Sequence, residues 1–166
     1  MKKVTTLVML ATLPFMAMAQ SKSVANFQDK YVDNKDVTTV LIKGPLFKFI
    51  ANFADYDDDP DSQAIGRIAD GINSMEILQV PYYETGLNKQ EVTNLRQGLD
   101  KDGYEELLMV RDDGEHINVL SQGKEDEIRN MLILVEEKDN FTLLNINGKL
   151  SMKDLSYLSK HHDNFH

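Results

Sequence analysis

The sequence predicts an α+β fold, with a single mixed or mainly antiparallel sheet of about six strands and with helices packed on one face. Strand-like β-branched runs alternate with segments of helical periodicity over most of the chain, and the last third consists of strand-like runs separated by turn residues. Two connections between strands contain helices and the others are hairpins, which favours one sheet with helices stacked against it. The predicted order of elements is β-αα-β-α-ββββ-α, preceded by a short helix.

Helices are predicted where large apolar residues recur every three to four positions. Val24, Phe27 and Tyr31 share one face of the first short helix. Pro45 is well placed to open the next helix, whose apolar stripe we expect to pack in the core, while Phe47 lies off this stripe. Ser151 is expected to cap the terminal helix. The four later stripes are Leu46, Phe49, Ile50 and Phe53; Ile65, Ile68, Ala69 and Ile72; Val92, Leu95 and Leu99; and Met152, Leu155 and Leu158.

Strands are predicted in the β-branched and apolar runs between these helices. The first covers residues 37–42, and the second covers 75–80, is ended by Pro81 and leaves room for a short continuation through two tyrosines. Residues 107–110 are apolar at successive positions, so we expect a central strand covered on both faces. Two hairpins are expected, with turns near Asp113-Gly114 and Asp139-Asn140. The polar stretch 122–129 between them leaves room for a short helix.

The first 19 residues have the three parts of a cleavable secretory signal. Two lysines follow Met1, a mostly apolar run extends from Val4 to Met16, and the small-residue site Ala17-Met18-Ala19 comes just before Gln20. The apolar run is shorter than the roughly 20 residues that span a bilayer. The alternative is an N-terminal strand or helix of the core. We therefore expect cleavage after Ala19, a mature single domain over residues 20–166, and a periplasmic or secreted location.

The composition excludes several kinds of site and makes several kinds of partner poor candidates. The chain has no Cys, which excludes disulfides, thiol catalysis and Cys-based metal sites, and it predicts that no lipid anchor follows the signal. No later apolar run is long enough to insert into a membrane. The net charge is −9, so nucleic acid and anionic membrane surfaces are poor partners for this chain.

Several packing and turn motifs follow one another along the chain. They are Phe27-x-x-x-Tyr31, the strand from Val37 to Ile42 that leads into Leu46-Phe47-Lys48, the segment from Ile68 to Leu78, and the segment from Leu143 to Leu150. In this order they resemble an uncharacterised family of exported bacterial proteins, domain-of-unknown-function family 4252. The resemblance implies export, a single α+β domain and no known activity or catalytic residues. Many members resemble lipoproteins, and this chain departs from them because it lacks Cys.

The candidate metal ligands are Asp55, Asp57 and Asp59, which alternate like the first ligands of a calcium loop. Pro60 stands where such a loop needs Gly, and Gly66 stands where it needs Glu. The alternative is a solvated acidic linker over residues 55–61, in which Asp61 or Ser62 caps the next helix. We predict that calcium binding here is weak, on the order of millimolar at best.

Other candidate chemistry is sparse. His161, His162 and His166 cluster beyond the last apolar position, where the chain is expected to fray, and His116 follows a turn and is expected at the surface. Neither the strand–turn–helix Ser motif of hydrolases nor a phosphate-binding loop is present. Acid pairs such as Glu105-Glu106 point to opposite faces of a strand, so they do not converge on one substrate.

The favoured function is therefore a non-catalytic exported module that uses no cofactor and binds an unknown envelope protein or other envelope component. One alternative is a domain stabilised by calcium through the acidic loop 55–61. Another is a hydrolase whose carboxylates are brought together only by the fold. A flat sheet face with exposed apolar residues would favour the binding module. A deep pocket with converging carboxylates would favour the hydrolase.

Overall fold

The structure is a computed structural model that describes residues 21–54, 59–124 and 127–161. Within these ranges the chain forms six helices and six strands. Their bounds are α1 Lys22–Tyr31, β1 Thr38–Lys43, α2 Gly44–Ala54, α3 Pro60–Gly71, β2 Ile72–Pro81, α4 Tyr82–Thr85, α5 Lys89–Lys101, β3 Glu105–Asp112, β4 Glu115–Lys124, β5 Glu127–Glu136, β6 Asn140–Ser151 and α6 Met152–His161.

The six strands form one sheet in the order β1-β2-β6-β5-β4-β3, and every neighbouring pair is antiparallel. The predicted α+β class and the single six-stranded sheet are therefore confirmed. The last four strands follow as hairpins, whereas β2 is joined to its neighbour β6 by a connection that contains α4, α5 and three strands. As a result, β2, β6 and β5 lie in the middle of the sheet and β1 and β3 lie at its edges.

The helices cover both faces of the sheet, not the single face that we expected. Leu143 and Leu144 are consecutive residues of β6, so their side chains point to opposite faces. Leu143 belongs to a core with α1 and α5, whereas Leu144 packs against a second core with α2, α3 and α6. The physical reason is that the central strands are apolar on both sides, and each side needs its own cover.

The first core joins α1 and α5 to the middle of the sheet. Phe27 stacks edge-to-face on Phe141 with ring centroids 5.3 Å apart. The Ser21 side chain accepts a hydrogen bond from the Val24 amide and its hydroxyl donates to Asp102 Oδ2 over 2.5 Å, which ties the start of α1 to the end of α5. The hydroxyl of Ser21 is the main cause of the lowered pKa of Asp102. The two helices are thus fixed to each other as well as to the sheet.

The second core lies under α2, α3 and α6 and contains Phe47, Ile72, Ile128, Ile146 and Leu150. The start of α6 is held as the sequence predicts, because the Ser151 hydroxyl accepts a hydrogen bond from the Asp154 amide over 3.3 Å. The carboxylate of Asp154 also interacts with the Ser151 hydroxyl. It accepts hydrogen bonds from Nε and Nη2 of Arg67 on α3, at 2.9 and 2.7 Å. This ion pair links two of the three helices on this face.

The hairpin turns are confirmed. Asp113 and Gly114 have φ values of 39° and 90°, as a tight two-residue hairpin turn requires, and the β5–β6 turn falls at residues 137–139. The expectation of a short helix in 122–129 is wrong for the described residues, because β4 continues to Lys124 and β5 begins at Glu127.

Two further expectations about strands are wrong. Tyr82 and Tyr83 do not prolong β2 but belong to the short helix α4, in which the Thr85 hydroxyl donates to the Pro81 carbonyl over 2.6 Å. The run 107–110 is not in a central strand: β3 is an edge strand, and all eight of its residues are exposed. An apolar run indicates burial only if its strand lies between two others in the sheet. β3 has a neighbouring strand on one side only.

Candidate functional site

On the sheet face that also holds the second core, the described residues leave an apolar surface uncovered. Two register rows cross all six strands on this face, and none of their side chains is buried. The first row is Val40, Ile77, Leu144, Ile133, Val119 and Leu108. The second row is Thr38, Gln79, Thr142, Val135, Ile117 and Val110. We call these twelve positions the open rows.

The helices on this face stop short of the open rows. A third row, one step further along the strands, includes Ile42, Met75, Ile146 and Met131, and all four side chains belong to the second core or pack against it. Of the open rows, only Leu144 makes such a contact. The α2–α3–α6 layer therefore covers one half of the face and leaves the other half open.

The open rows are mostly apolar and carry no charge. The first row is aliphatic throughout, and the second consists of Val, Ile, Thr and Gln. Leu108 and Val40, at the two ends of the first row, are 53% and 42% exposed. Strand spacing and rise give the two rows a projected area of about 400 Å². The largest apolar patch on a typical monomer is about 300–600 Å², and such patches are often functional.

Helix α2 presents a second apolar surface, and here the sequence expectation is wrong. The residues expected in the core point outward: Phe53 is 67% exposed, Phe49 59% and Leu46 51%. Phe47 and Ala51, one turn apart on another side of the helix, are buried in their place. The rings of Phe49 and Phe53 pack against each other with centroids 5.2 Å apart. We call Leu46, Phe49, Ile50 and Phe53 the α2 stripe.

The reason for this reversal is the environment of α2. The helix begins directly after β1 with no intervening loop, so the direction of the strand fixes which side of the helix meets the sheet. Phe47 is then the residue that enters the second core, beside Ile72. Helical periodicity identifies an apolar side of a helix, but it does not tell whether the same chain covers that side.

On the opposite face, two carboxylates converge on one polar network. Nη2 of Arg96 donates to Oδ1 of Asn118 over 2.7 Å and also forms an ion pair with Glu136. The Asn118 amide donates to Glu106 over 2.7 Å. In a glycosidase the space between the two carboxylates is left for the sugar and water. Here Arg96 and Asn118 connect the two carboxylates, which is the arrangement of a structural network.

A cavity of about 460 Å³ adjoins this network and is lined by Tyr82, His116, Glu136 and Lys138 among others. His116 is partly exposed at this cavity. Burial, with the nearby Glu136 charge, raises the pKa of Tyr82, and Arg96 opposes this effect. A phenol with a raised pKa stays protonated at neutral pH, so Tyr82 can donate a hydrogen bond but has no enhanced ability to act as a base.

The candidate calcium ligands are only partly within the described residues. Asp59 is the N-cap of α3, and its carboxylate accepts a hydrogen bond from the Ser62 amide over 3.0 Å. The N-cap, expected at Asp61 or Ser62, is thus two or three residues earlier. Asp55 and Asp57 lie outside the described residues, as do His162 and His166 and the side chain of His161. Within the described ranges, no three His, Asp or Glu side chains are grouped as a metal would need.

Sequence inspection missed the open rows, although part of their signal was visible. Ile117 with Val119, Ile133 with Val135, and Leu108 with Val110 each show the two-residue spacing of one strand face. That spacing tells which residues of one strand share a face. It does not tell that six strands align these faces in one row, since the row depends on strand order and register.

These features define an α+β domain with one sheet. The polar side chains on the face of the first core form a structural network, and the face of the second core is half uncovered by the described helices. A model of the family described as "Domain of unknown function (DUF4252)" matches residues 31–158, and the chain belongs to this family. No curated protein and no solved structure matches the chain. Among the described residues, no helix is long and apolar enough to cross a membrane.

Proposed function

We propose that this protein is an exported, non-catalytic interaction module that docks a component of the cell envelope on its open rows. The observation that supports the proposal is the charge-free apolar surface across all six strands. Side chains such as Leu108, 53% exposed, and Val40, 42% exposed, remain in contact with water at the ends of this surface. Covering them with a partner would release this water, and the gain is about 25 cal/mol for each Å² of apolar surface buried.

The polar groups of the opposite face support a non-enzymatic role. Glu136 pairs with Arg96 and Glu106 accepts from Asn118, and the adjoining small cavity of about 200 Å³ is lined by Arg96, Glu106 and Asn118 among others. A general acid or base needs a free path to a substrate proton. Side chains that hold each other in a network fit the role of fixing α5 on the sheet.

The proposal is tested by site-specific photo-cross-linking in cells that produce the protein. A benzophenone amino acid is placed at Leu108, Val110 or Val40, each in a separate variant. Tyr83 is the matched control, because it is 97% exposed but lies on α4, outside the open rows. We expect discrete adducts from the open-row positions and none from Tyr83. Absence of adducts at all three open-row positions, or equal labelling from Tyr83, would contradict the proposal.

Export is part of the same proposal and rests on the tripartite N-terminal segment, with its small-residue site ending at Ala19. Mass spectrometry of the protein isolated from the envelope fraction or the medium should find Gln20, free or cyclised, as the first residue. A cytoplasmic protein that retains Met1 would refute this part and leave the docking surface untouched.

A further inference from the structure

The open rows and the α2 stripe are two separate apolar surfaces on one chain, and the chain cannot bring them together by itself. Phe47 enters the second core beneath α2, whereas Phe49 and Phe53 lie on the other side of the helix and are exposed, so the α2 stripe points away from that sheet. We propose that a second copy of this chain occupies the open rows, inserting its own α2 stripe, in a reciprocal two-fold dimer. The inference rests on the proposed function, because it names the occupant of the same docking surface.

The layer geometry allows the contact to form twice. On the face that carries the open rows, the helix layer covers one half of the sheet and leaves the other half free. A second sheet placed above this layer brings its own helix layer down onto the free half. In a two-fold interface each surface meets its complement on the other copy, so every contact made by one α2 stripe is repeated by the other. The two helix layers then share one plane between the two sheets.

The size of the two surfaces favours a second copy of the chain as the molecule that occupies the open rows. The open rows alone offer about 400 Å², which is half of the about 800 Å² that each partner contributes to a standard interface. A partner that covers only the open rows would therefore make a small contact. In the reciprocal dimer each chain contributes both its open rows and its α2 stripe. Two large phenylalanines on that stripe supply the missing area, since an aromatic side chain buries about 150–250 Å².

Charge also favours a second copy. The chain has a net charge of −9, yet the open rows contain no charged residue and the α2 stripe contains none either. A basic partner would find no acidic group on these surfaces to pair with. An anionic lipid surface would be repelled by the chain as a whole. Two uncharged surfaces from the same chain match each other without any unpaired charge becoming buried.

The absence of cysteine makes the contact directly testable by cross-linking. A Phe49→Cys chain is mixed with a Val119→Cys chain that carries an affinity tag, so that the mixed adduct has its own mass. We expect a disulfide-linked mixed dimer after mild oxidation. A mixture of Tyr83→Cys with tagged Val119→Cys is the matched control and should give no adduct above background. Equal yields in the two mixtures would overturn the inference.

Sedimentation of the full chain gives the second test. We expect the wild type to be dimeric at about 100 μM, and the double variant Phe49→Ser/Phe53→Ser to raise the dimer dissociation constant at least about tenfold. Both phenylalanines are exposed, so this variant should fold. Leu41→Ser is the matched control, because Leu41 is 55% exposed but pairs with Glu76 on the other face of the sheet. This control should leave the dissociation constant unchanged.

Two results separate the inference from the proposed function. If the wild type is monomeric at about 100 μM but open-row photo-cross-links still capture another protein, the dimer is refuted and the docking function stands. If neither self-association nor open-row adducts are found, both are refuted. Added salt should tighten the dimer, because it screens the repulsion between two acidic chains. Weakening of the dimer by salt would indicate an ionic contact elsewhere and would overturn the inference.

Discussion

At the scale of single residues, the polar groups of this protein mainly connect elements. Asp154 is the clearest case, because its side chain is only 11% exposed and holds Arg67 of another helix by two hydrogen bonds. The Arg67 guanidinium, helped by the Ser151 hydroxyl, lowers the pKa of Asp154 below its ordinary 3.8. Asp102 has the same role on the opposite face, where it accepts from the hydroxyl of the N-cap Ser21 and from the amide of Ser23 in α1. These two carboxylates therefore fix helices in place.

The Asp154→Asn variant tests this role through pH. A carboxyl whose folded pKa is depressed stabilises the fold above its unfolded pKa, and this contribution disappears as the pH falls through the folded pKa. We expect the variant to lose about 1–3 kcal/mol at pH 7, measured by urea unfolding, and to lose progressively less below about pH 4. Asp70→Asn, at an exposed position on α3, should change stability by less than about 0.5 kcal/mol. A deficit of Asp154→Asn that stays constant down to pH 2.5 would contradict the assignment.

At the scale of elements, local signals determine where helices and strands begin, and neighbours determine which side is buried. The Asn88–Glu91 capping box fixes the start of α5, and its stripe of Val92, Leu95 and Leu99 is buried as predicted. In α2 the equally regular stripe is exposed, because the helix follows β1 directly and turns Phe47 inward. The same holds for β3, whose apolar run lies at the edge of the sheet.

The cap of α3 gives a test at this scale, because Asp59 is both the N-cap and a candidate calcium ligand. Asp59→Ala should destabilise the protein by about 1 kcal/mol, whereas Asp59→Asn should be nearly neutral, since Asn caps a helix as well as Asp does. One millimolar calcium should leave the melting temperature of all three proteins almost unchanged. A rise of several degrees at micromolar calcium, abolished by Asp59→Asn or Asp57→Asn, would establish a calcium site instead.

At the scale of the whole molecule, one sheet contributes residues to two hydrophobic cores. The central strands β2, β5 and β6 supply side chains to both cores, so neither core can unfold without disturbing the strands of the other. The backbones are also close at the start of β2, where a Cβ on Gly148 would lie 2.2 Å from the Gly71 carbonyl oxygen. Close approach of this kind is a common reason for glycine within a strand.

Truncations on the two sides of β6 test whether the cores unfold together. Leu143→Ala acts on the first core and Ile146→Ala on the second, and each should cost about 2–5 kcal/mol. Tyr31 and Tyr104, two of the six tyrosines, lie in the first core, so part of the tyrosine fluorescence reports on it. We expect Ile146→Ala to shift the fluorescence and far-ultraviolet transitions together, as in a single cooperative unit. Val32→Ala, at an exposed position, is the neutral control. Separate transitions would show that the cores unfold independently.

The sequence by itself determined most of the elements of this protein and their order, although not the short helix α4, since periodicity, caps and turn residues act over a few positions. Five of the predicted helices, both hairpins and the α+β class follow from such signals. The tertiary structure alone decided the strand order, the division of helices between two faces and the exposure of the α2 stripe. These depend on which strands pair and in which register, and the residues of one strand do not specify which strands lie beside it. The open rows belong to this second group, because Val40 and Leu108 become parts of one surface only when all six strands align.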